Sequence, residues 1–140
     1  MPEENITLDF FLASWTIDPL NVKEALLSYK KLLSAPEVSF DFRARPGISF
    51  SLRAKHAAQT ARSLFVLIDV IDDEPENRWL SVCFYADMIT DPKELGDFVP
   101  KGLLGEDACC FNLDADEPEM RAYVADRLTE ALSRAQGINS

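Results

Sequence analysis

The residues in this sequence that most invite a chemical role are two adjacent cysteines in the stretch EDACCFNLD, residues 106–114. Neighbouring thiols are compatible with redox chemistry, with a metal site or with an ordinary strand. Read as a strand from about 108 to 113, the stretch turns Cys109 to one face and Cys110 to the other. Side chains that point apart cannot hold one ion together, and a disulfide between them would need a strained turn. We therefore predict a strand with Cys109 in the core, no metal and no cofactor, and we leave open whether Cys110 is reactive.

The cysteine count and the N-terminus bear on the compartment. Three cysteines, an odd number, predict free thiols and a reducing environment. The opening stretch MPEENITLDF is acidic and lacks the basic start and apolar core of a secretory signal, and no apolar run approaches the ~20 residues that cross a bilayer. These features predict a cytoplasmic protein without membrane contact.

A single carboxylate, Asp69, interrupts the apolar stretch RSLFVLIDVI, residues 62–71. Burial beside apolar neighbours is expected to raise its pKa, and such groups sometimes perform acid–base work. The sequence places no second catalytic group beside Asp69, so hydrogen bonding to hydroxyl groups or to an arginine such as Arg53 is favoured. We name no catalytic residue.

Two further features suggest contact with a ligand or partner. The polar face of the first predicted hairpin carries Arg43 and Arg53, which could receive an acidic peptide, a small anion or the acidic loop of a second copy, although a solvated face is the plainer interpretation. In VPKGLLGED, residues 99–107, Leu103 and Leu104 either tuck under the sheet edge or contact a partner. A pocket between the sheet and the 101–107 loop, with Asp69, Arg53 or Cys110, would suit the alternative of a small-ligand-binding or enzymatic domain.

The sequence also predicts the helices that pack with these strands. An acidic residue followed by proline starts a predicted helix at about 19–34 and a short connecting helix after Asp91-Pro92. A long amphipathic helix is predicted at about 118–136, with Asp116 and Glu119 at the spacing of a reciprocal cap. The segment 5–15 has no decisive period and is either a strand or a helix.

The sequence VSFDFRARPGISFSLRAK, residues 38–55, alternates apolar and polar residues and predicts two half-buried strands. A loop of odd length, Arg45-Pro46-Gly47, pairs Phe42 with Phe50 and keeps the aromatic side chains on one face. A two-residue loop would turn Phe50 to the other face, so we expect the odd loop.

A second hairpin is predicted from residues 64–71 and 79–85, joined by the acidic loop DDEPEN. Pairing Ile71 with Trp79 aligns the aliphatic residues of both strands on one face. The opposite face then carries too many apolar side chains for open water, namely Phe65, Leu67, Ile71, Trp79 and Tyr85.

Strand runs flanked by helices predict an α+β fold, a two-layer sandwich with a mainly antiparallel five- or six-stranded sheet and helices 19–34 and 118–136 on one face. A chain of 140 residues fits one globular domain, residues 1–140. The net charge of −10 opposes binding to a phosphate backbone, so nucleic acid is excluded as a partner.

The second apolar face, with few elements left to cover it, indicates a surface closed by another chain. We therefore expect a non-catalytic protein- or peptide-binding module that acts as a homodimer, with that face as the interface and Arg43, Arg53, Asp69, Leu103 and Leu104 as a second candidate surface.

Overall fold

The computed structural model describes residues 6–137, which form one antiparallel sheet and three α-helices. The ends of the predicted 1–140 domain, including the acidic residues 3 and 4, lie outside the described range. The elements in chain order are α1 (Leu8–Ser14), α2 (Val22–Leu33), β1 (Val38–Arg45), β2 (Ser49–His56), β3 (Val66–Ile71), β4 (Trp79–Tyr85), a 3₁₀ turn (Ala86–Met88), β5 (Asp97–Leu103), β6 (Glu106–Leu113) and α3 (Pro118–Ala135).

The six strands lie in the order β1-β2-β3-β4-β6-β5, and all neighbours are antiparallel. Strands β1 to β4 form a meander. Strand β5 then lies at the far edge of the sheet, and β6 occupies the position between β4 and β5. The predicted α+β two-layer fold is confirmed, with six strands.

The helices cover one side of the sheet, which we call the core face; it carries Phe50, Leu52, Ile68, Val82 and Phe111. On α1, the ring of Phe11 stacks on Phe50 with 3.9 Å between centroids. The ring of Tyr123 on α3 lies 5.9 Å from that of Phe111. All five core-face side chains are at most 5% exposed, so the hydrophobic core lies between the helices and this face.

Within the undecided segment 5–15, Leu8–Ser14 form a helix, and residue 5 lies outside the described residues. The hydroxyl of Thr7 accepts a hydrogen bond from the N–H of Phe10, which caps α1. Trp15 ends the helix and is buried, with its indole N–H donating to the carbonyl of Ile17. The helix therefore stabilises the core rather than extending the sheet.

The two long helices agree with prediction. In α2 the carboxylate of Asp18 accepts hydrogen bonds from the N–H groups of Val22 and Lys23, so the acidic cap is present although the helix begins later than residue 19. In α3 the reciprocal cap is wrong: Asp116 accepts instead from Asn21 and Arg121.

The first hairpin has the predicted faces but a different register. Phe42 pairs with Leu52 and Ala44 with Phe50, so the three-residue loop is Pro46 to Ile48 rather than Arg45 to Gly47. The carboxylate of Asp72, beyond β3, accepts a hydrogen bond of 2.7 Å from the N–H of Gly47. This contact stabilises the observed loop. It joins residues 25 positions apart, so the alternation of apolar and polar residues within the hairpin does not reveal it.

The second hairpin is confirmed, including the pairing of Ile71 with Trp79. The predicted connecting helix after Asp91 is wrong. The carboxylate of Asp91 accepts hydrogen bonds from the N–H groups of Leu95 and Gly96, and Glu94 has a left-handed backbone, φ 53°. The segment is therefore a turn. No helix among residues 6–137 is long and apolar enough to span a membrane.

Candidate functional site: the open face of the sheet

The face of the sheet that points away from the helices is here called the open face, and three rows of side chains cross the strands at its centre. The first row contains Arg53, Leu67, Cys83 and Cys110; the second contains Ser51, Asp69, Ser81 and Asn112; the third contains Ser49, Ile71 and Trp79. Two rows with apolar members therefore flank a polar one. This arrangement follows from the two-residue period of the strands once β4 pairs with β6.

Three of the five apolar residues predicted for an interface remain accessible on the open face. Leu67, Ile71 and Trp79 are half-buried, and the described residues place no helix over them. Trp15, the other tryptophan, is 1% exposed, so Trp79 is the accessible indole of the chain.

The other two residues require a correction. Phe65 and Tyr85 are 0% and 1% exposed and are covered by the chain itself, so they need no partner to shield them. The guanidinium of Arg62 lies 4.0 Å from the centre of the Tyr85 ring. Asp87 and Glu106 hold Arg62 in place through ion pairs of 2.9 and 2.7 Å. The sequence pattern missed this cover because Arg62 acts through residues 25 and 44 positions away.

Asp69 lies at the centre of the open face. Burial raises the pKa of its carboxyl group, and a hydrogen bond from the Ser51 hydroxyl and the charges of Arg53 and Arg45 offset part of that increase. The predicted raised pKa and the predicted hydroxyl partner are both present. Ser81 faces Asp69 on the next strand, as expected.

The β1–β2 side of the open face is basic. It carries four cationic side chains, Arg43, Arg45, Arg53 and Lys55, and one carboxyl group, Asp41, with Asp69 beside it on β3. Asp41 pairs with Lys55, Arg43 and Arg45 are exposed, and the Nε atom of Arg53 is buried without a hydrogen-bond acceptor among the described residues. We call Arg43, Arg45, Arg53 and Lys55 the basic half. It contrasts with the net charge of −10 for the chain.

The cysteines do not behave as three free thiols. Cys83 and Cys110 face each other on β4 and β6, with 4.1 Å between their Cα atoms, and form a disulfide on the open face. Cys109 points to the core as predicted, and burial raises the pKa of its thiol to about 11, with the charges of Asp91 and Asp97 adding to the increase. The argument for a reducing compartment loses its support from free thiols.

The segment predicted as a 101–107 loop is instead part of the β5–β6 hairpin. Leu103 pairs with Glu106 across a two-residue turn in which Leu104 and Gly105 both have positive φ, 50° and 85°. Leu103 is buried and Leu104 is exposed at the tip, so the two leucines share no site.

The open face carries charged, hydrogen-bonding and apolar side chains together. No group of three or more potential metal ligands occurs in the described part of the chain. The imidazole of His56 is buried at the far end of β2, where its Nδ1 accepts the N–H of Ala58, away from the Ser51–Asp69 pair. On the open face itself, the Ser51 hydroxyl donates to the Asp69 carboxyl group, and cationic and apolar side chains surround this pair.

No known protein family, no curated protein and no solved structure matches this chain.

Proposed function

We propose that this protein is a non-catalytic protein-binding module that acts as a homodimer and uses the open face to bind an acidic, partly apolar segment of another protein. The observation that carries the proposal is the contrast between the two sides of the sheet. Three helices cover the core face, whereas the open face presents half-buried Leu67, Ile71 and Trp79 without a helix above them.

Charge indicates the kind of partner. The basic half would attract acidic side chains, while the acidic remainder of the chain would repel them and so orient the approach. The apolar rows add contacts that a small anion would not use. An extended segment that alternates acidic and apolar residues satisfies both features.

The open face has enough area for such a partner. Six strands about 4.8 Å apart and about seven residues long, at ~3.3 Å per residue, span roughly 650 Å². A standard protein–protein interface covers ~800 Å² on each side, so the face has the appropriate size before its side-chain relief is counted.

The test is a selection of random twelve-residue peptides displayed on phage against the purified protein, with counter-selection against Trp79→Ser. We expect enriched peptides rich in Asp, Glu and large apolar residues, binding at least about fivefold more weakly to Trp79→Ser, since an interface aromatic is often worth more than ~1 kcal/mol. Binding of the synthesised peptide would be followed by the emission of Trp79.

Leu27→Ser is the matched control, because Leu27 is an exposed apolar residue on α2, on the helical side of the molecule. It should leave peptide affinity unchanged. Enriched peptides without acidic residues, or equal binding by Trp79→Ser and the unaltered protein, would contradict the proposal.

A further inference from the structure

The two edges of the sheet differ in how well they could accept another strand. Strand β5 contains Pro100, a left-handed backbone at Lys101, φ 55°, and a register shift between Val99 and Leu103. Proline and irregular backbone are the usual protections of an exposed edge. The β5 edge is therefore unsuited to pairing.

Strand β1, at the opposite edge, lacks those protections. It runs for eight residues without proline or glycine and pairs with β2 residue for residue, without a register shift. No strand among residues 6–137 pairs with its free side. The backbone groups on that side are thus arranged to bond a further extended strand.

The side chains of β1 suggest which strand that is. On the open face the strand carries Asp41 and Arg43, two positions apart and of opposite charge. On the core face it carries Phe40 and Phe42, both half-buried at the margin of the helical layer. A partner strand should supply an acid opposite Arg43, a base opposite Asp41 and an apolar residue between them.

A second copy of β1 meets these requirements in one register. When two β1 strands run antiparallel with Phe42 opposite Phe42, Asp41 of each copy lies opposite Arg43 of the other, and both core faces stay on the same side. Within β1 the Phe42 register opposes no like charges. A shift of one residue pair in one direction sets Asp41 against Asp41, and a shift in the other sets Arg43 against Arg43 while leaving Asp41 opposite Arg45. The charge pattern therefore selects this register among its neighbours.

We propose that two copies of the protein join through their β1 strands in this register, so that two six-stranded sheets become one continuous sheet. The inference rests on the proposed function, because it assigns the interface of the proposed homodimer. It also places the basic half of one copy beside that of the other, so that the binding surface for an acidic segment spans the junction.

Charge reversal tests the register. Asp41→Arg or Arg43→Asp alone would set like charges opposite at two symmetric positions, and each should raise the dimer dissociation constant roughly 30-fold or more. Both single variants should appear as monomers in size-exclusion chromatography with light scattering. The double variant Asp41→Arg/Arg43→Asp restores unlike pairs and should dimerise like the unaltered protein.

A mixture of the two single variants gives the sharpest result. At positions 41 and 43 the Asp41→Arg chain presents two basic groups and the Arg43→Asp chain two acidic groups, so every opposed pair between the two chains is of unlike charge. An equimolar mixture should therefore form a heterodimer although neither variant dimerises alone. Circular dichroism would show that the variants are folded. Asp97→Arg on β5 is the matched control and should leave the mass unchanged.

Three results would overturn the inference. The first is an unaltered protein that is monomeric at a concentration on the order of 100 micromolar. The others are single charge reversals that dimerise as tightly as the unaltered chain, and an equimolar mixture of the two reversals that stays monomeric. Loss of the dimer in Trp79→Ser, with the reversals still dimeric, would place the second copy on the open face instead. A monomeric protein would refute the homodimer as well as its interface, whereas peptide selection reports on binding by the open face separately, so the β1 interface can fail while the binding role stands.

Discussion

Replacing Asp72 by alanine should lower the free energy of unfolding by about 3 kcal/mol, a large part of the ~5–15 kcal/mol that stabilises a domain. Asp72 is 3% exposed, and its carboxylate accepts hydrogen bonds from Nε of Arg78 at 2.6 Å and from the N–H of Gly47 at 2.7 Å. The guanidinium of Arg78 lies 5.2 Å from the ring centre of Phe11 on α1. The ion pair therefore closes the end of the core where helix and sheet meet.

The magnitude follows from what truncation leaves behind. Removal of one partner from a buried ion pair costs ~3–5 kcal/mol, because the remaining charge is desolvated without compensation. The side chain of Arg78 is 13% exposed and rests against aromatic rings, so the lower end applies. The N–H of Gly47 lies in an exposed turn and can bond to water instead, which adds little.

Urea denaturation followed by circular dichroism measures the effect. With a slope of ~2 kcal/mol per molar urea, the midpoint of Asp72→Ala should fall by about 1.5 M. Asp87→Ala is the control: it also removes an acid from an arginine, but its side chain is 69% exposed and Arg62 keeps Glu106. That variant should lose less than ~1 kcal/mol.

Equal midpoint shifts for Asp72→Ala and Asp87→Ala would refute this reasoning. A second variant tests the cause: Asp72→Ala/Arg78→Met removes both charges and leaves an apolar chain among the rings of Phe11, Trp15 and Phe50. It should be more stable than Asp72→Ala alone, since the penalty of the unpaired charge is gone.

Three further predictions concern the sheet. Cys83→Ser opens a covalent loop with a sequence separation of 27 and should cost about 3.5 kcal/mol of stability in non-reducing urea titrations; an unchanged midpoint would contradict a disulfide with Cys110. Leu104→Asn should raise the unfolding free energy by ~1 kcal/mol, because Asn-Gly suits a turn in which Leu104 and Gly105 have positive φ. A lower midpoint would show that the Leu104 side chain stabilises the fold. Folding favours the protonated form of Asp69, since burial raises its pKa above 3.8, so Asp69→Asn should be more stable than the unaltered protein at pH 7. The gain should appear as pH rises through the folded pKa and be absent below 3.8; a difference independent of pH would contradict it.

Elements with a clear local period were predictable from the sequence. The stripes of α2 and α3 and the alternation of β3 and β4, including the pairing of Ile71 with Trp79, are present in the structure because one buried face dictates each pattern. The face of each strand in the first hairpin was predicted for the same reason. Its loop is displaced by one residue, and the observed loop makes a hydrogen bond from Gly47 to Asp72 that joins distant parts of the chain.

The segment 91–107 was not predictable in the same way. Strand β5 is exposed along most of its length, and its apolar and polar residues do not alternate. The two-residue period that reveals a half-buried strand is therefore absent there. Gly96, just before β5, instead marks a close approach, since a Cβ atom there would lie 2.5 Å from the sulfur of Cys109. That constraint appears only after β5 is placed beside β6.

The candidate site shows the same division. Leu67, Ile71, Trp79 and Asp69 were assigned to one face because strand parity is a local property. The disulfide was missed because it depends on the pairing of β4 with β6, which no turn connects directly. The cover of Tyr85 by Arg62 was missed because it comes from a segment outside the strands.

The irregular backbone of β5 bears on what kind of assembly this chain can build. Pro100 and the register shift leave each molecule with one edge able to recruit a neighbour. If β1 meets β1, that capacity is used up on both sides at once, and the assembly is closed at two subunits. A sheet with two regular edges would have no such limit and could propagate into a fibre.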